Sequence, residues 1–213
     1  MVANDPTFDI FTVKVPEDFA VAANAPVAGQ TLASVINSDD PDLRPFKRHG
    51  GKIIHYHGWA DPVWPPRASI NYYENVIAAQ RGEAREERGD RSLEETREFY
   101  RLFMAPGMVH CEGGPGPNDF GANAIPPPPV EDADHDATLA LVQWVEQGIA
   151  PQKIIATHYL NHDPTQGIDM QRPLCPYPEV ALYTGTGDTA DAANFVCVKD
   201  EHEDHGEADH LHQ

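Results

Sequence analysis

Two short segments of the sequence carry an acid and a base, and each segment follows a run of apolar residues. The first is HYHGWADPVW (55–64), in which Asp61 comes after a glycine, and the second is APGMVHCEGG (105–114), which contains His110. An aspartate can accept the Nδ1–H of a histidine and stabilise the imidazolium, which leaves Nε2 to take a proton from a hydroxyl group. Asp61 and His110 therefore suit the orienting acid and the general base of nucleophilic catalysis.

Predicted strands place both segments at one edge of a sheet. KIIHYH (52–57) and FYRLFMAPG (99–107) are predicted strands, and in open α/β sheets functional groups gather at the carboxyl ends of strands. Between them, apolar residues at three- and four-residue steps from Pro66 to Ile77 predict a helix. The mixed charges of 81–98 predict a solvated helix or loop. The order of acid before base agrees with the chain order of α/β-hydrolases.

The flanking regions contain further predicted elements. Two short helices separated by a polar break are predicted in 32–51, and an amphipathic helix is predicted from Asp136 to Gln147, ended by Gly148. Strands are predicted at 153–158 and 180–184. Because strands alternate with helices, the sequence predicts an α/β fold with packing helices and, given the 20 prolines, long Pro/Gly-rich loops.

Charge and hydropathy exclude several classes of partner. The 34 acidic residues outnumber the 15 basic ones, so the formal charge of −19 opposes binding to nucleic acid and to anionic lipid. No apolar stretch is long enough to predict a membrane span. The first residues lack the basic and apolar regions of a signal peptide.

Four stretches of the chain resemble the tannase and feruloyl esterase family of α/β-hydrolases, over most of 7–198. They are DLRPFKRHGGKIIHYHGWADPVWPPRASINYYENV (42–76), FYRLFMAPGMVHCEGGPGPNDFG (99–121), LVQWVEQGIAPQKIIATH (141–158) and RPLCPYPEVALYTGTGDTADAANFVC (172–197). We assign 1–198 to a C-terminal segment of such a domain. The remainder, 199–213, is an acidic, histidine-containing tail that is predicted to be disordered.

The resemblance implies a serine esterase that acts on esters of phenolic acids. It assigns the acid to Asp61, the base to His110, and to Cys111 a disulfide with a cysteine that precedes the nucleophilic serine. The family's Gly-Cys-Ser turn is absent, because the four serines, Ser34, Ser38, Ser69 and Ser92, lie outside any such motif. The lid domain, often with calcium, is absent too, so no cofactor is expected in this chain. The chain is expected to need an upstream segment of the same protein, and the resemblance implies a secreted or periplasmic location.

Two further groups of residues admit more than one interpretation. Cys175 and Cys197 are predicted to form a disulfide, with two reduced thiols as the alternative. His55 and His57 share one face of a strand, so with His110 they could hold the metal of a metal-dependent hydrolase; the other interpretation is one hydrogen-bonded core histidine and one near the site.

Trp59 and Trp64 flank Asp61, and Trp59 is expected to support the site, either against an aromatic acyl group or as a cover for the strand end. A catalytically inactive segment or interaction module is a further alternative for the chain as a whole.

Overall fold

The computed structural model describes 9–80, 89–121 and 127–199. The described residues group into two compact units, one within 1–40 and the other within 41–213. No helix among the described residues is long and apolar enough to cross a membrane.

The first unit is a small helical hairpin. Its elements are helix α1 (Glu17–Ala23), strands β1 (Pro26–Val27) and β2 (Gln30–Thr31), and helix α2 (Leu32–Ile36). The two strands pair antiparallel. Thr31 begins α2 as its N-cap, because its hydroxyl accepts a hydrogen bond from the Ser34 N–H at 3.2 Å. This helix is the first of the two short helices predicted from the sequence.

The second unit contains the remaining helices and strands. The helices are α3 (Arg44–Arg48), α4 (Pro66–Gln80), α5 (Gly89–Arg97) and α6 (Ala137–Gln147). The strands are β3 (Ile53–Gly58), β4 (Tyr100–Ala105), β5 (Ile154–Tyr159), β6 (Ile168–Leu174), β7 (Glu179–Tyr183) and β8 (Phe195–Lys199).

Strands β3 and β4 are the two strands that the sequence predicts before the acid and base segments. They pair in parallel and in register, from Ile53 opposite Tyr100 to Gly58 opposite Ala105. Because the strands run in the same direction, both end at the same edge. β4 is buried along its whole length, which agrees with its mainly apolar sequence, and Arg101 is the charged residue buried within it.

The two faces of this strand pair contact different helices. One face carries Tyr100, Leu102 and Met104, which pack with α4 residues such as Ile70 and Tyr73 into one buried cluster. His55 and His57 lie on this same face, because they pair with Leu102 and Met104 in the register. The two histidines therefore point toward α4.

The opposite face belongs to a second core cluster. Phe103 and Ala105 of β4 pack there with Ala137 at the start of α6 and with Ile154 and Ala156 of β5. α6 begins and ends as predicted. Asp136 accepts hydrogen bonds from two N–H groups of its first turn, and the Gly148 N–H donates to Trp144 in a left-handed C-cap.

The remaining strands form antiparallel pairs. β5 pairs with β6, and β7 pairs with β8. The sequence predicts β5 and β7, whereas β6 and β8 are not predicted; β6 mixes a proline with charged residues. A disulfide joins Cys175, after β6, to Cys197 in β8, with the Cα atoms 5.6 Å apart. The predicted pairing of these cysteines is confirmed.

One prediction for the charged segment needs correction. Helix α5 is not solvated on all sides, because Ser92, Thr96 and Arg97 are buried. The Arg97 guanidinium donates to Glu179 Oε1 at 2.6 Å, so a charge that looks exposed in the sequence is held inside the fold. The predictions for 81–88 and for 200–213 of the tail lie outside the described residues.

Candidate active site

The loops that follow β3 and β4 are bonded to each other through their backbones. The Trp59 N–H donates to the Ala105 carbonyl at 2.9 Å, and the Ala60 N–H donates to the Met108 carbonyl at 3.0 Å. Gly58 makes this approach possible, because a Cβ at that position would collide with the carbonyl of Met108. The glycine that interrupts the apolar run thus lets the second loop cross the end of the first.

Asp61 is fixed in a tight turn at the end of β3. Its Oδ1 accepts hydrogen bonds from the N–H groups of Val63 at 2.7 Å and Trp64 at 2.9 Å. In this turn the carboxylate of Asp61 takes the place of a backbone carbonyl as the hydrogen-bond acceptor. Because Oδ1 is held by the turn, the direction of Oδ2 is fixed as well. The side chain of Asp61 is 4% exposed. The carboxylate is therefore held in one orientation.

His110 lies directly against the second oxygen. Its Nδ1 is 2.8 Å from Asp61 Oδ2, although 49 positions separate the two residues. The predicted proximity of acid and base is confirmed. The side chain of His110 is 49% exposed, and Asp61 is its one hydrogen-bond partner among the described residues. The Nδ1–H is engaged, which leaves Nε2 available to a group that arrives from outside.

The carboxylate is stabilised in its charged form. Partial burial of Asp61 favours the neutral acid, but the hydrogen bonds from Trp64, His110 and Val63 outweigh it and hold the pKa of Asp61 below its ordinary value. A carboxylate that stays ionised can stabilise an imidazolium at His110. This is the electrostatic requirement for a histidine that acts as a general base.

The loop that carries His110 is closed by glycines and a buried amide. The Val109 N–H donates to the Gly113 carbonyl at 3.0 Å, and the Gly113 N–H donates to Asn118 Oδ1 at 3.1 Å. Cys111 is exposed and has a left-handed backbone, with φ of 66°. It is not part of the Cys175–Cys197 disulfide. The predicted neighbours His110 and Cys111 thus share one exposed bend at the edge of the strand pair.

The chain also matches a known protein family. A family model for tannase and feruloyl esterase matches residues 1–198. The chain belongs to this family.

Three relatives illustrate the similarity. An uncharacterized esterase from Xanthomonas campestris pv. campestris is 48% identical over 192 residues, which cover 90% of this chain and 33% of the relative. Mono(2-hydroxyethyl) terephthalate hydrolase from Piscinibacter sakaiensis is 38% identical over 158 residues, or 74% of this chain and 21% of the relative. Feruloyl esterase B from Aspergillus oryzae, a crystal structure, is 28% identical with a TM-score of 0.72, over 92% of this chain and 35% of that chain. The chain thus spans about a third or less of the length of these family members.

The two histidines of β3, His55 and His57, form hydrogen bonds with nearby side chains and do not converge on one point where a metal ion could bind. His57 Nδ1 is 2.6 Å from Ser69 Oγ, and His57 Nε2 is 3.2 Å from both the Trp64 carbonyl oxygen and Asp61 Oδ2. His55 uses its two ring nitrogens for Ser69 and Tyr100. Within the described residues, no group of three His, Cys, Asp or Glu side chains could hold a metal ion. Because the ring nitrogens of both histidines already have hydrogen-bond partners, the geometry favours hydrogen-bonded histidines over the metal-dependent alternative.

Ser69 forms a second arrangement of serine, histidine and aspartate, with His57 and Asp61. Its Oγ lies between two imidazole nitrogens, 2.6 Å from His57 and 3.1 Å from His55, and the residue is 8% exposed. A nucleophile needs open space in front of its oxygen for the carbonyl carbon of a substrate. Because Ser69 is buried within α4 with both hydrogen-bonding directions occupied, this arrangement does not suit nucleophilic attack.

The two tryptophans beside Asp61 are exposed. Trp59 is 48% and Trp64 is 61% exposed, so neither is buried as a cover for the strand end. Trp59 lines a cleft with Met104 and Pro106 from the neighbouring strand and Tyr177 from the region before β7. The apolar walls of this cleft lie next to the loop that carries the acid.

Ser69 and Tyr100 are the site residues that the sequence does not reveal. Ser69 belongs to α4 and Tyr100 to β4, and their side chains meet the histidines only after the helix packs on the strands. The available signal was the pair of histidines two positions apart on one strand face, which requires polar partners if it is buried.

Proposed function

We propose that this chain supplies the acid and the base of a serine carboxylic ester hydrolase, Asp61 and His110. The nucleophilic serine and the oxyanion hole belong to a segment that is not among these 213 residues. The substrates are esters of phenolic acids. The membership in the tannase and feruloyl esterase family supports this class of reaction.

The single observation that carries the proposal is the contact between His110 Nδ1 and Asp61 Oδ2 at 2.8 Å. Two backbone N–H groups fix the carboxylate, and the side chain of His110 is half exposed. This combination of a rigid, ionised acid and an accessible ring is what a general base needs. A purely structural ion pair would not need an exposed ring.

In the proposed reaction, His110 Nε2 takes the proton of the serine hydroxyl as the oxygen attacks the ester carbonyl. The imidazolium that forms is stabilised by Asp61, and it then protonates the departing alcohol, which leaves an acyl-enzyme. His110 next removes a proton from water, which attacks the acyl carbon. The phenolic acid is released and the serine regains its proton.

The names of relatives and the exposed aromatic residues support an aromatic acyl group. Relatives named feruloyl esterase and terephthalate ester hydrolase act, by their names, on aromatic esters. Trp59 and Trp64 flank Asp61 and are both about half exposed or more, so they are available to pack against a planar ring. We assign Trp59 this supporting role.

The location and the partner segment belong to the same proposal. The Cys175–Cys197 disulfide suits an oxidising compartment, and we place the protein in the periplasm or outside the cell. By resemblance, Cys111 would bond a cysteine beside the nucleophilic serine, and its exposed position next to His110 is compatible with that role.

A chimeric enzyme tests the proposal. The chain replaces the matching third of the Xanthomonas campestris esterase, with which it is 48% identical, and hydrolysis of methyl ferulate and methyl gallate is measured. We expect turnover that His110→Ala abolishes and that His135→Ala, a histidine paired with Asp132 away from the site, leaves within about twofold. An active His110→Ala enzyme would contradict the proposal. A folded chimera with no turnover on any aromatic ester would favour the inactive interaction module.

A further inference from the structure

Five side chains behind His110 form an uninterrupted series of polar contacts into the core. The series runs from Tyr100 to His55 at 2.7 Å, to Ser69 at 3.1 Å, to His57 at 2.6 Å, and ends at Asp61 Oδ2, 3.2 Å from His57 Nε2. It joins both strands to α4. The triad roles of Asp61 and His110 leave the other members unexplained.

The end of the series determines the position of its protons. His57 Nε2 faces the Trp64 carbonyl and the Asp61 carboxylate, and both oxygens can only accept hydrogen bonds. Nε2 must therefore carry a proton. In a neutral ring Nδ1 is then an acceptor, so the Ser69 hydroxyl donates to it. The single hydroxyl proton of Ser69 is therefore engaged in this hydrogen bond.

The protons at the Tyr100 end of the series are determined in the same way. Because Ser69 has no second proton, His55 Nε2 must donate to its oxygen, and the Nδ1 of a neutral His55 must accept from the Tyr100 hydroxyl. Burial, together with the neighbouring His57, lowers the pKa of His55 to about 4, which agrees with a neutral ring. All donors consequently point toward Asp61.

We propose that His57 and Ser69 are positioning residues for the acid, held in a single direction of hydrogen bonding that begins at Tyr100. This inference rests on the proposed function, because it concerns how Asp61 is presented to His110. Both residues are buried, so the proposed role acts through Asp61.

The effect is transmitted through the turn that holds Asp61. The Trp64 N–H donates to Asp61 Oδ1, while the Trp64 carbonyl accepts from His57 Nε2. His57 thus anchors the far end of the 61–64 turn and lies 3.2 Å from Oδ2, the oxygen that also contacts His110. If Ser69 no longer fixes the ring, His57 can rotate or exchange its tautomer, and the turn loses this anchor. Asp61 would then populate orientations that do not meet His110.

The first test measures the ring protons in the 213-residue chain itself and does not depend on esterase activity. Two-bond ¹H–¹⁵N correlation spectra at neutral pH distinguish the two tautomers of each histidine, with assignment through His55→Gln and His57→Gln. We expect Nε2–H at both residues. We also expect Ser69→Ala to move the His57 Nδ1 resonance toward that of a nitrogen that accepts no hydrogen bond. A proton on Nδ1 of either ring would overturn the proposal.

The second test uses kinetics in the chimeric enzyme. Ser69→Ala should lower kcat about tenfold with KM nearly unchanged, the size expected for one lost hydrogen bond in the supporting network. Ser69→Thr, which retains the hydroxyl, should restore most of the loss. The matched control is Ser92→Ala, a buried helical serine in α5 outside the series, and it should leave kcat unchanged.

The outcomes separate this inference from the proposed function. An unchanged kcat in Ser69→Ala, or an equal loss in Ser92→Ala, would overturn the positioning role even if the enzyme is a serine esterase. If the unsubstituted chimera is inactive, the proposed function fails, whereas the tautomers in the spectra still decide whether the directional series exists.

Discussion

Replacement of Asp61 by asparagine tests the acid with the smallest possible change of shape. Oδ1 accepts from two backbone N–H groups, those of Val63 and Trp64, so the amide oxygen of the asparagine should occupy that position. The amide NH₂ then faces His110 Nδ1, at the place where the carboxylate oxygen accepted a hydrogen bond from the Nδ1–H. A donor at this place forces the imidazole to present a lone pair at Nδ1 and to carry its proton on Nε2. In this tautomer His110 cannot act as a base.

The size of the effect follows from the same two hydrogen bonds. The productive tautomer requires the amide to rotate, which turns its NH₂ toward two N–H donors and loses both bonds. Each lost hydrogen bond lowers the population of the productive tautomer about tenfold, and each N–H donor left without an acceptor lowers it about tenfold again. With two N–H groups affected, the productive fraction falls by about 10²- to 10⁴-fold. The upper end equals the loss of about 10⁴ known for the same substitution in a serine protease triad. We expect kcat of Asp61→Asn to fall within this range.

The assay is kcat for methyl ferulate in the chimeric enzyme, with thermal unfolding to show that the variant is folded. Asp169→Asn is the matched control, because Asp169 also holds the Nδ1 of a histidine, His158 at 2.9 Å, but in the β5–β6 pair. It should leave kcat within about twofold. The reasoning would be refuted by an Asp61→Asn enzyme that loses less than about tenfold, or by a control that loses as much.

Three further predictions concern stability. Loss of the disulfide in Cys175→Ala/Cys197→Ala should lower the free energy of unfolding by about 3 kcal/mol in urea, because the bond closes a loop of about 22 residues; an unchanged midpoint would contradict this. Burial raises the pKa of Asp119 to about 6 from an ordinary 3.8, so the folded protein holds this proton more tightly than the unfolded chain. Compared with Asp119→Asn, the unsubstituted protein should therefore lose stability as the pH rises from about 4 to 6, and parallel pH curves would be the opposite result. Gly58→Ala should cost about 1–3 kcal/mol by differential scanning calorimetry, since its methyl group meets the backbone of Met108, and a neutral effect would show that the loop gives way.

The sequence predicts β3 and β4 and the two site segments that follow them. The mainly apolar and aromatic runs before Gly58 and Pro106 indicate buried strands, and an acid and a base shortly after such strands indicate one shared edge. The parallel register then brings Asp61 to His110. No local pattern specifies the distance between them, which depends on the loop crossing over Gly58.

Local sequence patterns do not predict the contacts of the residues that support the site. Ser69 shares the buried face of α4 with Tyr73 and Val76, but no local pattern specifies that it will meet His55 and His57 when α4 packs on β3. Helix α5 shows the reverse error, because its charges suggest exposure while Arg97 is buried against Glu179. Both cases depend on partners distant in sequence, which periodicity cannot identify.

The most direct measurement of the central claim compares two preparations. One is the 213-residue chain alone, and the other is the same chain in place of the matching third of the Xanthomonas campestris esterase. With methyl ferulate and a serine-reactive fluorophosphonate, we expect negligible turnover and no label in the chain alone. We expect turnover and one labelled serine, outside this chain, in the chimera. Inhibitor-sensitive hydrolysis by the chain alone, with label on one of its own four serines, would contradict it.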